Sequence, residues 1–298
     1  MTPSTAARVA TEVQERFASA GVRGCLHARG LAEGGEEVRV DADRPVVMAS
    51  VYKLPLLVAF ARAVDERRLD PTATVTLAPE DRTPGATGIS AMVDPVTASW
   101  RDLARSMIAV SDNAAGDAVL DAVGLAGVRE TVAALGLTST RIDGGTRDVY
   151  RILTDDTGAG DVATAMELLR DNDHLTHSRA FDPLLASSTT ARDMTALLAA
   201  VWADRASSAE QGAFMRSVLF QQIWPHRLSS GFPYGGVRVA GKTGTLGPLR
   251  HEVGVVHHRN EAPIAVAVLS EAARADPHQP RVDAAIGAVA AVAVAALR

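Results

Sequence analysis

The stretch Ser50-Val51-Tyr52-Lys53 lies where a short extended segment, residues 45–49, gives way to a helical pattern over residues 51–68. A hydroxyl at the start of a helix is close to free backbone N–H groups, which favour developing negative charge. Lys53 follows Ser50 by three positions and therefore shares its helix face. An amine with a lowered pKa in that place can act as a general base and activate a serine nucleophile. Taken alone the pattern is weak, since a chain of this length contains Ser-x-x-Lys about once by accident.

Lysine usage gives the pattern more weight. The chain has 30 lysine and arginine residues, but only Lys53 and Lys242 are lysines. Arginine is therefore the default cation, and a guanidinium cannot lose its proton as a desolvated amine can. The two lysines indicate places that need a titratable nitrogen. The alternative is that two survivors of a compositional bias share no purpose.

A second candidate motif, Ser111-Asp112-Asn113, separates two helical patterns. The Ser111 hydroxyl could relay a proton, and the Asn113 amide could hold a substrate amide. The alternative is a plain helix N-cap at Ser111 or Asp112, which is the better interpretation of the tripeptide by itself.

A third candidate, Lys242-Thr243-Gly244-Thr245, ends a strand pattern. The amine and the two hydroxyls could bind a carboxylate. A glycine between them would let a ligand approach the backbone closely. The alternative is a strand end followed by a turn.

Helical and extended patterns divide the chain into three parts. Strand patterns occupy residues 21–31, 36–40 and 45–49 near one end and 237–243, 252–258 and 262–270 near the other. Helical patterns cover residues 5–18, 51–68, 100–110, 113–123, 127–135, 161–170, 190–204, 209–223 and 282–297. We therefore expect one sheet built from both ends of the chain, with the central helices forming an inserted lobe.

The three motifs in this order resemble those of the class A β-lactamase and penicillin-binding protein superfamily. Ser111 follows Ser50 by 61 residues, and Lys242 follows Ser111 by 131 residues. The resemblance implies an α/β class, with a two-lobe fold whose antiparallel sheet is flanked by helices and whose second lobe is all-helical. We expect a single domain over residues 1–298, with the α/β lobe at 1–49 and 212–298 and the helical lobe at 50–211.

The resemblance also implies a role for each matching residue. Ser50 would attack a carbonyl and form an acyl-enzyme, and Lys53 would take its proton. Ser111 would pass a proton to the leaving nitrogen, and Lys242 would orient Ser111 and attract a substrate carboxylate. The implied substrate-binding residues are Asn113, Thr243, Gly244, Thr245 and Arg250, and the implied oxyanion hole is formed by the backbone N–H groups of Ser50 and Thr245.

One expected residue is missing. Residues 140–143 resemble the start of the loop that carries the deacylating glutamate in class A enzymes, yet that glutamate falls on Thr146. No glutamate occurs between Ile142 and Val162, so Thr146 and Asp148 are the candidate substitutes in the loop, with Asp155 and Asp156 as further alternatives. Because losing a positioned base costs about 10²–10⁴ in rate, we expect acylation with slow deacylation. A slow β-lactamase, an intracellular biosynthetic esterase or acyltransferase, and a catalytically idle ligand-binding homologue all fit.

The composition excludes several classes of function. The net charge is −5 and no basic stripe is present, which argues against nucleic acid as a partner. No apolar run reaches the ~18–20 residues of a membrane span, and the first residues lack the apolar core of a signal peptide. The single cysteine, Cys25, fits a reducing compartment. These features predict a cytoplasmic protein, and the resemblance implies an enzyme acting on a small molecule that carries a carboxylate, with no cofactor or metal; the oligomeric state is not indicated.

Overall fold

Strands from both ends of the chain form one sheet in the computed structural model, which describes residues 3–170 and 177–298. The strands are β1 (Val22–Gly30), β2 (Glu37–Val40), β3 (Val46–Val47), β4 (Thr74–Leu77), β5 (Val96–Ser99), β6 (Ser188–Thr189), β7 (Val237–Leu246), β8 (Leu249–His258) and β9 (Ile264–Ala272). The main sheet has the order β2-β1-β9-β8-β7, and each neighbouring pair is antiparallel. The other four strands form two short ribbons, β3 with β6 and β4 with β5. The expected α/β class and the sheet built from both termini are confirmed.

Helices cover both faces of this sheet. Within the described ranges they are α1 (Pro3–Ser19), α2 (Lys53–Asp65), α3 (Trp100–Ala109), α4 (Asn113–Val123), α5 (Leu125–Ala134), α6 (Thr146–Thr157), α7 (Val162–Leu168), α8 (Ala191–Trp202), α9 (Ala209–Leu219) and α10 (Pro280–Ala296). None of these helices is long and apolar enough to cross a membrane. The division into lobes at residues 49/50 and 211/212 stays a prediction.

Alternation along the strands directs side chains into two separate cores. Leu269 of β9 is buried in the larger core, with α2, α8 and the other central helices. Val268 and Val266 point the other way and pack with residues of α1 and α10 in the second core. The sheet therefore has one face toward the central helices and one toward the two terminal helices. Each residue of β7 and β8 can be assigned to a face by the same alternation.

Several elements differ from the sequence expectation: strands β4, β5 and β6 were not predicted, and the bounds of β7 and β8 and the segment after residue 143 also differ. Strands β7 and β8 run on to Leu246 and from Leu249, further than the patterns at 237–243 and 252–258, and they form a hairpin around Gly247. The predicted strand ended too early because the last residues of β7 are the polar and glycine residues of the third motif, which do not follow an apolar alternation. The segment expected to be a loop after residue 143 forms helix α6 instead. Asp148 stabilises its first turn by accepting a hydrogen bond from the Gly145 N–H at 3.0 Å.

Candidate active site

Ser50 lies in a 3₁₀ turn, Ala49–Tyr52, that leads into α2. The expected helix thus begins at Lys53 rather than at residue 51, and Ala49 before the serine has a left-handed φ of 45°. The Ser50 side chain is half-buried and makes no hydrogen bond to any described residue. Its hydroxyl is therefore free to meet a ligand.

Strand β7 passes directly beside this turn. A Cβ added at Gly244 would lie 3.0 Å from the Met48 carbonyl oxygen and 3.2 Å from the Val51 backbone nitrogen. Only a glycine at this point lets the strand approach the turn so closely without displacing it. The Lys-Thr-Gly-Thr motif and Ser50 are thereby brought together.

Lys53 is fully buried beneath the turn. Its Nζ donates to the Ser111 carbonyl oxygen at 2.8 Å and to Asn113 Oδ1 at 2.8 Å. Burial lowers the pKa of Lys53 to about 8, although the charges of Asp117 and Asp112 partly oppose that shift. Near neutral pH a fraction of this amine is unprotonated and able to accept a proton.

Lys242 also contacts Ser111, through the side chain of that residue. Its Nζ donates to Ser111 Oγ at 2.9 Å and to the Thr243 carbonyl oxygen at 2.7 Å. Burial holds the pKa of Lys242 well below its usual range, and the positive charges of Lys53 and Arg227 lower it further. Both lysines of the chain thus converge on Ser111, one at its carbonyl and one at its hydroxyl.

Asp112 explains how the second motif is held. It caps α4 by accepting a hydrogen bond from the Ala115 N–H at 3.2 Å, as the N-cap alternative predicts. Its carboxylate also accepts from the Ile89 N–H at 2.6 Å and from Ser106 Oγ at 2.7 Å. Ser111, with a left-handed φ of 61°, points instead toward the two amines. The tripeptide is both a helix cap and a part of the site.

Helix α6 brings two side chains to Asn113. The Asn113 Nδ2 donates to the Tyr150 hydroxyl at 3.1 Å, and Thr146 Oγ1 lies 3.5 Å from Asn113 Oδ1. Thr146 and Tyr150 share a face because they are four residues apart on one helix. Burial raises the pKa of Tyr150, so its phenol stays protonated at neutral pH. Sequence reasoning placed Thr146 here but missed Tyr150.

Asp117 anchors the start of α6. This carboxylate is 3% exposed and accepts hydrogen bonds from the backbone N–H groups of Thr146 and Arg147, each at 2.8 Å. It also accepts from the hydroxyls of Thr83 and Tyr52. Asp148 is the other candidate in this segment. Its carboxylate accepts from the Gly145 N–H and forms an ion pair with the exposed Arg151.

A buried guanidinium lies under the third motif. Arg227 is 2% exposed and donates to Thr245 Oγ1 at 2.7 Å and to the Gly244 carbonyl oxygen at 2.9 Å. Its Nε donates to Asp283 of α10. Arg250 is paired opposite Thr245 in the sheet, but its Nη2 donates to the carbonyl oxygens of Asp276 and Pro277. Arg227 is therefore the guanidinium in contact with Thr245, and nothing in a sequence rich in arginine distinguished it.

Comparisons with known proteins identify the family of the chain. The model of the Beta-lactamase enzyme family matches residues 8–297. A protein of Streptomyces cacaoi, described as a β-lactamase regulatory protein, BlaB, is 30% identical over 294 residues and covers 94% of each chain. The crystal structure of a β-lactamase from Sphaerobacter thermophilus superposes with a TM-score of 0.78 at 25% identity, over 100% of this chain and 98% of that one. The structure of PBP-A, at 20% identity, superposes with a TM-score of 0.76 over 97% and 96% of the two chains and shows the shared fold. With nearly its whole length matched, the chain belongs to the Beta-lactamase enzyme family.

Proposed function

We propose that this protein is a serine hydrolase or acyltransferase in which Ser50 forms an acyl-enzyme with a β-lactam or a related amide or ester. The observation that carries the proposal is the convergence of two fully buried amines on Ser111, beside the turn that bears Ser50. A family fold alone supports only the capacity for such chemistry. Two desolvated amines, one at the Ser111 carbonyl and one at its hydroxyl, supply the proton acceptor and the proton donor that acyl transfer needs.

The acylation step follows from these contacts. Neutral Lys53 takes the proton of Ser50 Oγ while that oxygen bonds to the substrate carbonyl carbon. The carbonyl oxygen becomes an anion held by the backbone N–H groups of Ser50 and Thr245. When the carbon–nitrogen bond breaks, Ser111 donates its proton to the leaving nitrogen and is reprotonated by Lys242. An ester linking the acyl group to Ser50 remains.

Release of the acyl group is the slow step in this proposal. Thr146, Tyr150 and Asp148 are the candidate side chains for a deacylating base on the first part of α6. The first has no basic group, the phenol of the second is protonated, and the third caps the helix. Without a positioned base we expect deacylation to be slower by about 10²–10⁴. An acceptor amine or alcohol could then compete with water.

The substrate carboxylate is assigned to the same end of β7. Thr245 is exposed there, and the buried guanidinium of Arg227 donates to its Oγ1, so that a positive charge lies behind the hydroxyl a carboxylate would meet. Thr243 and Gly244 belong to the same strand segment. Arg250 on the neighbouring strand adds positive charge near this end of β7. Because its Nη2 donates to the carbonyl oxygens of residues 276 and 277, we assign it a smaller part in attracting the carboxylate than Arg227.

Mass spectrometry tests the proposal. Incubation with benzylpenicillin, a chromogenic cephalosporin or an activated ester should add one acyl group to Ser50, and Ser50→Ala should abolish the adduct. Thr157→Ala, a hydroxyl deletion at the far end of α6, serves as the matched control and should keep it. A folded protein that forms no adduct with any of the three probes would refute the proposal.

A second candidate is a regulatory role in which the protein binds or is acylated by a ligand without turning it over. The description of the 30% identical relative as a regulatory protein favours it. Steady turnover of a chromogenic cephalosporin or an ester, lost in Ser50→Ala, would exclude it. A stable acyl-enzyme with no turnover would favour it over hydrolysis. For the hydrolase or acyltransferase, we also propose a cytoplasmic location and a role in biosynthesis.

A further inference from the structure

The outer edge of β7 carries an unusual side-chain contact. β7 is the last strand of the sheet, so alternate N–H groups along it face away from β8. The Thr243 N–H donates to Gln222 Oε1 at 2.6 Å, from the segment that follows α9. The Thr245 N–H lies two residues further along and therefore faces the same edge. Gln222 thus holds the strand beside the N–H that the proposed function assigns to the oxyanion.

A buried carboxylate dictates which way the Gln222 amide points. Its Nε2 donates to Glu252 Oε1 at 2.6 Å, and the second oxygen of Glu252 accepts from the Leu228 N–H at 2.6 Å. Glu252 is fully buried and stands opposite Thr243 on β8. An ionised carboxylate can only accept hydrogen bonds. Gln222 must therefore give its NH₂ group to Glu252, which leaves its carbonyl oxygen for Thr243.

Gly241 provides the space that the hydrogen bond between Gln222 and Glu252 occupies. A Cβ added at Gly241 would lie 2.9 Å from Glu252 Oε1 and 3.2 Å from Gln222 Nε2. The charged groups around Glu252 are Arg227 and Lys242, both of which favour its ionised form. Asp283 of α10 pairs with Arg227 on the side away from the strand. No catalytic step described above uses Glu252 or Gln222.

We propose that Glu252 is a positioning residue that orients Gln222 and, through it, fixes the edge of β7 that binds the oxyanion. The expected effect of Glu252 on acylation rests on the proposed acyl-enzyme function, whereas its expected effect on the order of the β7 edge does not. If Glu252 carries a proton, its O–H can donate to Gln222, whose amide then turns. The Gln222 NH₂ would face the Thr243 N–H, and two donors cannot bond each other.

Protonation of Glu252 is accessible near neutral pH. Burial raises its pKa to about 7, against the opposing hydrogen bond from the Leu228 N–H, the charge of Arg227, the hydrogen bond from Gln222 and the charge of Lys242. The ordered edge therefore requires the ionised carboxylate and is lost as the pH falls through about 7. The order of the β7 edge therefore depends on pH through the protonation of Glu252.

A donor–acceptor swap tests the assignment. In Glu252→Gln the new amide must give its oxygen to the Leu228 N–H, so its NH₂ faces Gln222 and turns that amide. The double variant Gln222→Glu with Glu252→Gln restores every pair, because the carboxylate now accepts from both Thr243 and the new amide. Side-chain volume is nearly unchanged in both proteins. A role in packing alone would not distinguish them.

Two readouts follow the edge and the chemistry separately. Amide hydrogen exchange at Thr243 should become about 10-fold faster in the single variant, the value for one lost hydrogen bond, and return in the double variant. Acylation of Ser50 should fall by about 10-fold, less than the ~10²–10³ for deleting an oxyanion donor, and recover likewise. In the wild-type protein, Thr243 protection should fall below pH 7 while that of Val255 in β8 does not.

The outcomes separate the two proposals. If wild-type protein forms no adduct, the acyl-enzyme function fails, and exchange at Thr243 still decides the role of Glu252. Unchanged Thr243 exchange in Glu252→Gln, or no recovery in a folded double variant, overturns the inference. If the variants do not fold, the wild-type pH series decides it alone: constant Thr243 protection from pH 6 to 8 overturns it.

Discussion

Replacing Asp117 by asparagine should loosen the start of α6. One carboxylate oxygen accepts from Thr146 and Tyr52, and the other accepts from the Arg147 N–H and the Thr83 hydroxyl. An asparagine can keep one oxygen, but its NH₂ group then faces the Arg147 N–H. A buried donor left unsatisfied costs about 1–3 kcal/mol. At about 2–4 °C per kcal/mol, the melting temperature should fall by several degrees.

The same substitution should change the titration of Lys53. The charge of Asp117 is the largest contribution that raises the pKa of Lys53, against the burial that lowers it. Without that charge the pKa should fall below about 8. The neutral, base-competent form would then predominate at lower pH, and the rising limb of acylation against pH should move in the same direction.

The lysine content makes this measurement unusually direct. Protein labelled with ¹³C-lysine gives signals from only Lys53 and Lys242, so each amine can be titrated separately by NMR. Asp121→Asn, an exposed position one turn further along α4, is the matched control and should change stability by less than about 0.5 kcal/mol. An Asp117→Asn protein with unaltered melting temperature and an unaltered Lys53 titration would refute the reasoning.

Three further predictions concern rates. The acylation rate of Ser50 should rise with pH through about 8 and then level off, because Lys53 is a base only when neutral; stopped-flow acylation with a flat profile from pH 6 to 9 would contradict its role. Thr146→Glu should shorten the acyl-enzyme lifetime by up to about 10²-fold, measured by mass spectrometry after substrate removal, and an unchanged lifetime would mean that release follows another route. Gly241→Ala should slow acylation while its melting temperature falls by only a few degrees, because the new Cβ meets the Glu252 carboxylate; acylation at the wild-type rate would show that this contact is relieved at no cost.

Much of the fold could be predicted from periodicity. Extended patterns at both ends and a helical middle predicted one sheet built from both termini, and the strand order became known only from the structure. Helix α6 was missed because its apolar positions are few and its first turn depends on caps from Asp148 and Asp117, one of them distant in sequence. Tertiary contacts, rather than local pattern, determine that segment.

Candidate site residues could be predicted from the sequence where residue type and motif identify them. They could not be predicted where a role depends on contacts with residues distant in sequence. Hydroxyls and amines in three motifs could be found by their chemistry. Arg227, Tyr150 and Glu252 carry no local signal, because an arginine, a tyrosine and a glutamate are ordinary on a loop, a helix and a strand. Their importance arises from burial against residues far along the chain, with contacts such as Arg227 to Thr245 and Tyr150 to Asn113.

The two lysines and the one buried arginine illustrate why these cations are not interchangeable. Arg227 is satisfied by four acceptors around its guanidinium, and this requires two strands and α10 to supply oxygens on several sides. Lys53 and Lys242 each have two acceptors, which a compact ammonium tolerates and a five-donor guanidinium would not. An arginine at either place would also keep its proton at every working pH. In a chain whose default cation is arginine, the two buried lysines are therefore the positions at which the proposed acyl transfer needs a cation that can lose its proton.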